Sequence, residues 1–403
     1  MRLLAHLYRM STLAQKKFFS PAKANPAAEE RFADRSSALR WLEEEQYTLI
    51  AAALWAHSAD DHRMSVALSA SVSQFLTELR SLDEAELVLR AGIRSSRVIK
   101  DRHNEASLLS LLGIVLRDKR KLGKSVRAHR KAIEISRRLK NRKATARALN
   151  NLGLSLHEQR KFEQAVAAHA EAARALKRAG DRRGAGQALS NIAETLVEQG
   201  RTAEAARYLR KAATIFKKEG DPRSHAQALG TLAKVLRHDG DLAQAVELHR
   251  RALGMVDGLL IPHERAIELA NFGGTLTMAG ELEEALTVLQ EALDIFRPLG
   301  DRRGEAMVLG NMALIYHEQE RWEQALPLHT LALEAFVESN DDHALAVELK
   351  HLGFALLELG LNTEALENLE LATTLFQRTG NEREADQLLD FTDQARRRFT
   401  ASW

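Results

Sequence analysis

Residues 141–180 read NRKATARALNNLGLSLHEQRKFEQAVAAHAEAARALKRAG, and residues 181–220 read DRRGAGQALSNIAETLVEQGRTAEAARYLRKAATIFKKEG. Aligned, the two stretches begin on Asn141 and Asp181 and carry a small residue at Gly153 and Ala193. Alanine follows at 165 and 205, and again at 172 and 212. The phase extends in both directions. Asp101, Asp221, Asp301, Asp341 and Asn381 continue the first position, with Ile261-Pro262 replacing it once, and Gly113, Ala233, Gly273, Ala313 and Gly353 continue the second. Ser125, Ala245, Ala285, Ala325 and Ala365 continue the third; Ala132, Ala252, Ala292, Ala332 and Ala372 continue the fourth. A fixed period of about 40 residues marks a repeat array, in which each unit buries its apolar face only against its neighbours.

Leu149 with Leu152, Leu189 with Ile192, Leu229 with Leu232, Leu309 with Met312 and Leu349 with Leu352 supply an apolar stripe at helical spacing. Each unit therefore predicts two antiparallel helices, A and B, meeting where the residues are small. Gly200, Gly240, Gly280 and Gly360 fall where A turns into B, and glycine takes the left-handed conformation that ends a helix. Between units, Gly180-Asp181, Gly220-Asp221 and Gly300-Asp301 close helix B with glycine and cap the amides of the next helix A with aspartate. The fold class expected is all-α.

This set of positions resembles the tetratricopeptide repeat over Asp101 to Gly380, in seven units. The resemblance implies a right-handed superhelical solenoid with a concave face lined by the A helices. The unit is longer than the family's usual one of about 34 residues, and the proline near the end of helix B is mostly missing, Pro298 being the nearest. The longer unit is similar to that of kinesin light chains, of peptide-pheromone receptors of Gram-positive bacteria and of certain actinobacterial regulators.

Residues 1–60 are expected to form N-terminal helices and a connector. Ser20 to Asp34 is rich in Pro and Ala, and a helix is predicted from about Ser36 to His57. Ala38-Leu39-Arg40-Trp41-Leu42-Glu43-Glu44-Glu45, with Arg2 to Tyr8, resembles the stretch preceding the repeat sensor of STAND-class ATPase regulators. Residues 61–100 read as a degenerate repeat with Asp83-Glu84-Ala85 in phase, and residues 101–380 as the seven units. Residues 381–403 read as a capping helix from about Glu382 to Phe399 and a tail, because the last repeat cannot leave its apolar face bare.

Composition narrows function. Hydrophobic residues make up 45% of the chain and aromatics only 5%, with six prolines, a mix that favours helix over sheet. The absence of cysteine excludes disulfides, thiolate metal sites and cysteine nucleophiles, and fits a reducing cytoplasm. Apolar runs such as Ile50 to Ala56 are far too short to span a bilayer, so no membrane partner is expected. No phosphate loop occurs, and Gly184-Ala185-Gly186 follows no strand, so no nucleotide cofactor is expected. The pairs His157-Glu158, His263-Glu264 and His317-Glu318 lack the second histidine of a zinc-protease helix. His129, His169, His249 and His329 share a helix B position and are expected to be satisfied packing groups. Neither enzyme, cofactor nor metal site is predicted.

The candidate site is the A-helix face. Asn151, Asn191, Asn271 and Asn311 share one phase, with His351 and Thr231 at the equivalent places, although asparagine lowers helix propensity. By resemblance this position lines the concave side, where such asparagines hold the backbone amides of an extended peptide. The alternative is that they bond between neighbouring A helices and set the pitch of the array. Arg147, Gln187 and Gln227 lie one turn earlier, and Glu194, Lys234, Arg237, His157 and His317 one or two turns later. Toward the C-terminus the face turns apolar, with Ile267, Met278, Met307, Leu314, Phe354 and Leu357.

The net charge is +3, yet the segment Arg94 to Arg147 alone carries +14 and leaves the rest at about −11. Arg117, Lys121, Lys124, Arg127, Arg130, Lys131, Arg137 and Arg138 form a basic patch placed mostly on helix B, the convex side. It reads as a dock for an acidic partner, as a solvated face, or as a nucleic-acid contact, the last without aromatics to stack bases. The leading expectation is a protein- or peptide-binding sensor of a bacterial transcriptional regulator, coupled to a nucleotide-binding or DNA-binding module in cis or in trans. A free-standing scaffold and a nucleic-acid-associated protein are the alternatives.

Overall fold

The computed structural model describes residues 2–19, 32, 34–255, 262–339 and 341–400. The connector read at Ser20 to Asp34 lies almost wholly outside these residues, as do Ile261 and the tail at 401–403. Among the described residues every regular element is a helix. The chain divides into two compact units, Met1–Ile215 and Phe216–Trp403, a division that falls within the helix Thr202–Lys218.

In the first unit, Arg2–Phe19, Arg35–Glu44 and Gln46–Ser58 precede the pair His62–Glu78 and Leu82–Val98. The pairs Arg102–Asp118 with Leu122–Arg138 and Arg142–Glu158 with Phe162–Arg178 follow, then Arg182–Glu198. The second unit holds Pro222–His238 with Leu242–Met255, Pro262–Ala279 with Leu282–Leu299, Arg302–Glu318 with Trp322–Ser339, Asp342–Glu358 with Asn362–Arg378, and the final Glu382–Thr400. Consecutive helices pack as antiparallel hairpins, and each A helix also touches the A helices of neighbouring pairs within its unit. The single helix expected from Ser36 to His57 is instead two, broken at Glu45.

The small positions are where the helices press together. Ala165, Ala205, Ala245, Ala285, Ala325 and Ala365 are wholly buried, and Ser125 in the same place gives its hydroxyl to the Gly113 carbonyl at 2.6 Å. A Cβ on Gly113, Gly153, Gly273 or Gly353 would collide with His129, His169, Leu289 or Leu369 respectively, each on the B helix of the same pair. Glycine there admits a large helix B side chain against the backbone of helix A.

From Arg80 onward the turns among the described residues share one backbone device. The amide of Asp181 donates to the Leu176 carbonyl at 3.0 Å, while Asp181 Oδ1 accepts from the amide of Gly184 at 2.9 Å. One residue thus closes a helix with the six-to-one bond of a Schellman cap and opens the next as its N-cap. The residue before it takes positive φ. The same conformation recurs from turn to turn, at Gly180 and Gly200 but also at Arg80, Lys100, Arg120, Lys140, Arg160 and Glu320.

Candidate binding face of the A helices

The four phase-equivalent asparagines do not share one fate. Asn191 is only 6% exposed; its Nδ2 donates to Asn150 Oδ1 at 3.1 Å, and its Oδ1 accepts from Gln187 Nε2 at 3.2 Å. Asn150 Oδ1 also accepts from the buried His169 Nδ1 at 2.9 Å, so Asn191 belongs to an internal network linking two A helices to a B helix. For this residue the pitch-setting alternative describes the contacts found. Asn151, Asn271 and Asn311 are half-buried, and their side-chain amides have no hydrogen-bond partner among the described residues.

Further candidates meet in the second unit. Arg237, in the last turn of Pro222–His238, reaches across the next A helix and donates from Nη1 to the Asn271 carbonyl at 3.3 Å. It crosses directly over Gly274, whose ideal Cβ would stand 3.0 Å from Arg237 Nη1 and 3.8 Å from Asn311 Nδ2. A cavity of about 370 Å³ opens there, with Arg237, His238, Thr277, Met278, Asn311 and Leu314 around Gly274. Burial lowers the Arg237 pKa from its ordinary value. The sequence reading missed Gly274 and His238. The signal was present, since Ile114, Leu154, Glu194, Lys234, Leu314 and Phe354 occupy the phase that Gly274 breaks.

Other candidates stand apart from that cluster. Arg147, Gln187, Gln227, Glu194 and Lys234 are exposed on their A helices, and of these Gln187 is drawn to Asn191. His157 bonds Thr195 at 3.2 Å and lies edge-on to Phe162, while His317 packs edge-on against Trp322 with ring centroids 4.3 Å apart. Burial, helped by the nearby His329, lowers the His317 pKa. His351 is half-buried beside His329 and is pushed down to about 3 by burial and by Lys350. At the apolar end, Ile267, Met278 and Met307 are exposed, but Phe354 is covered edge-on by Phe391 of the final helix, centroids 5.1 Å apart.

The shared helix B histidines are all fully buried, and three have a partner at Nδ1, although Nε2 of His169 and of His329 has none among the described residues. His249 donates to Glu268 at 2.8 Å and His329 to Glu348 at 2.6 Å, while His169 uses Asn150. His129 departs from the expectation, since neither ring nitrogen has a hydrogen-bond partner, and burial with the Arg117 charge lowers it to about 3.

The basic patch is substantially neutralised. Arg117 pairs with Asp118 and Glu158, Lys121 with Glu86, Lys131 and Arg138 with Glu134, and Arg137 with Glu171. Lys124, Arg127 and Arg130 are exposed without an ion-pair partner among the described residues. Among the described residues no trio of His, Asp and Glu could hold a metal ion, and no helix is long and apolar enough to cross a membrane.

The family model described as Tetratricopeptide repeat matches residues 104–178, 184–257 and 264–338, more than half of the chain. Comparison with curated proteins gives no match. Among solved structures, the apo quorum sensor NprR from B. thuringiensis is similar at 13% identity and TM-score 0.59, over 83% of this chain and 99% of that one. The Rap conjugation gene regulator of the plasmid pLS20, solved with the Phr peptide, is similar at 16% identity and TM-score 0.54, over 84% and 96%. A Signal Transduction ATPase with Numerous Domains carrying a tetratricopeptide repeat sensor, from Pyrococcus horikoshii, is similar at 14% identity and TM-score 0.54; the match covers 82% of this chain and 52% of that one.

Proposed function

From the premise that this chain belongs to the tetratricopeptide repeat family, we propose that it is a protein- or peptide-binding module whose ligand lies along the A-helix face. The observation that carries the reading is the state of Asn151, Asn271 and Asn311. Each is half-buried, phase-equivalent and unengaged by the described residues. A half-buried amide offers one acceptor and two donors, and a ligand can take these up in place of water. An extended peptide backbone presents the complementary carbonyl and N–H at every residue, so Asn271 and Asn311, repeated along the A helices of the second unit, can hold it irrespective of its side chains.

The finer reading is a sensor in a cytoplasmic bacterial regulator, acting on a nucleotide-binding or DNA-binding module in cis or in trans. Support comes from the like-folded pLS20 regulator with its bound peptide, from the quorum sensor NprR and from the STAND protein with its repeat sensor. Nucleic acid is the weaker partner, because five of the eight basic-patch residues already have carboxylates. The module is assigned no catalysis of its own. Selection of phage-displayed extended nonapeptides tests the reading. Wild-type protein should enrich a sequence family, and Asn271→Ala with Asn311→Ala should lose it while keeping helicity, since alanine is the better helix former. Enrichment unchanged in the double variant would sink it.

A further inference from the structure

We propose that a second copy of this chain docks on the outer face of the helix Leu122–Arg138 through its own helix Asn362–Arg378, so that Lys124, Arg127 and Arg130 meet Glu364, Glu367 and Glu370. The contact is made by B helices, and it is independent of whether a peptide lies along the A helices.

The two triads occupy the same three phases of the repeat, six units apart, with opposite sign. All six residues are exposed. Lys124, Arg127, Arg130, Glu364 and Glu367 have no ion-pair partner among the described residues, while Glu370 contacts Arg396 of the final helix. The asymmetry runs through the whole chain. Met1–Ile215 carries 40 Lys and Arg against 23 Asp and Glu, a net +17, whereas Phe216–Trp403 carries 18 against 32, a net −14. Setting the first unit of one copy on the second unit of another brings these opposite charges together.

The basic triad is placed against local preference. Lys124 stands in the first turn of its helix, where the helix dipole disfavours a cation and where Glu84, Glu204, Glu284 and Glu364 stand in sister helices. Like charges a turn apart, at 124, 127 and 130, also repel one another. A matching anionic helix relieves both. Beside the triad a groove of about 660 Å³ opens toward the helix Phe162–Arg178, lined by Arg130 and by Leu149, Leu152 and Leu156. Ala167 leaves it open at a phase that Arg127, Arg207, Thr287 and Glu367 fill in other units. On the acidic helix Leu371, next to Glu370, is 50% exposed and is the apolar side chain that enters this groove. Exposed ion pairs are individually weak. Together they select partner and register, while burial of Leu371 holds the contact.

Sedimentation velocity of the full chain over a concentration series tests this. The mass should exceed that of a monomer at low salt and fall toward it in about 1 M salt, where the Debye length shrinks to about 3 Å. Arg127 and Glu367 are the middle members of their triads, so they are matched whichever way the two helices run. Arg127→Glu and Glu367→Arg should each weaken self-association by about tenfold, and the two combined in one chain should restore it. Leu371→Ser should weaken it with every charge in place, which keeps the test sound if a charge variant fails to fold. Wild type that stays monomeric throughout the series at low salt would refute the proposal. A double variant that associates no better than either single variant would refute it too. A monomer whose basic triad instead takes up duplex DNA would overturn it in favour of a nucleic-acid contact.

Discussion

Glu348 reaches back from one A helix to the buried ring of His329, with its carboxylate 2.6 Å from Nδ1, and on the way it lies over Gly310, where a Cβ would stand 2.7 Å from Oε2. The same trio occurs two repeats earlier. Glu268 bonds His249 Nδ1 at 2.8 Å across Gly230, and Thr275 sits 3.2 Å from Nε2. The intervals match, Gly230 to His249 to Glu268 and Gly310 to His329 to Glu348, so three helices are joined through one hydrogen bond that needs a bare backbone beneath it.

Gly310→Ala should therefore cost about 1–3 kcal/mol by displacing the carboxylate from a buried partner. In a Glu348→Ala background the same change should instead gain up to about 1 kcal/mol, because only the helix-propensity difference remains. Urea unfolding of the four proteins gives the coupling. Additive effects would show that the carboxylate and the glycine are independent.

His129 carries an acid sensitivity of its own. Burial and Arg117 lower its pKa from 6.5 to about 3. Between those values the unfolded chain binds a proton that the folded chain refuses, so this group's contribution to stability is intact above pH 6.5 and is lost as the pH falls toward 3. Leucine holds the same place at 209, 289 and 369. His129→Leu should raise the melting temperature, and its advantage over wild type should widen as the pH drops from neutrality. A constant difference from neutral to acidic pH would contradict the account.

What the sequence could and could not disclose follows from where each signal lies. The helix pairs were legible because the tight contacts demand Ala, Gly or Asp at fixed phase, as at Ala172, Gly153 and Asp181. The left-handed turns at Arg80, Lys100 and Glu320 were not, because satisfied cap hydrogen bonds let a lysine, arginine or glutamate occupy a conformation that glycine would advertise. Glu268 and Glu348 passed unnoticed because their phase is otherwise held by residues such as Ala148, Ala188, Ala228 and Val308. The candidate face was legible as a phase, while the recess around Gly274 depended on exceptions to that phase, Gly274, His238 and Met278.

Lys119 and Glu86 form a second internal tie. Lys119 Nζ is 2.6 Å from Glu86 Oε2 and also contacts Asp83, with the Lys119 and Glu86 side chains 11% and 13% exposed. Burial opposes the Glu86 charge, but hydrogen bonds from Lys119 and Arg90 prevail and hold its pKa at about 2. The carboxylate's contribution is present above its ordinary 4.5 and is lost as the pH falls toward 2. Glu86→Gln should cost about 2 kcal/mol or more at neutral pH by leaving a half-paired ammonium, and the cost should shrink below pH 4.5. Denaturant midpoints across that range check it.

Asn191 and Asn311 offer the sharpest separation of structure from binding, since they share a phase and differ in what faces them from the preceding A helix. Opposite Asn191 stands Asn150, which ties it to His169; the equivalent place before Asn311 is Ala270, which offers its amide nothing. Asn191→Ala should lower stability by about 1–2 kcal/mol, because Asn150 loses a partner in a buried network, and should leave peptide enrichment intact. Asn311→Ala should do the reverse, with an unchanged or raised melting temperature and loss of binding. Thermal unfolding and nonapeptide selection on both variants decide the matter. Equal loss of binding in the two would mean that the internal hydrogen bonds of Asn191 open for the ligand.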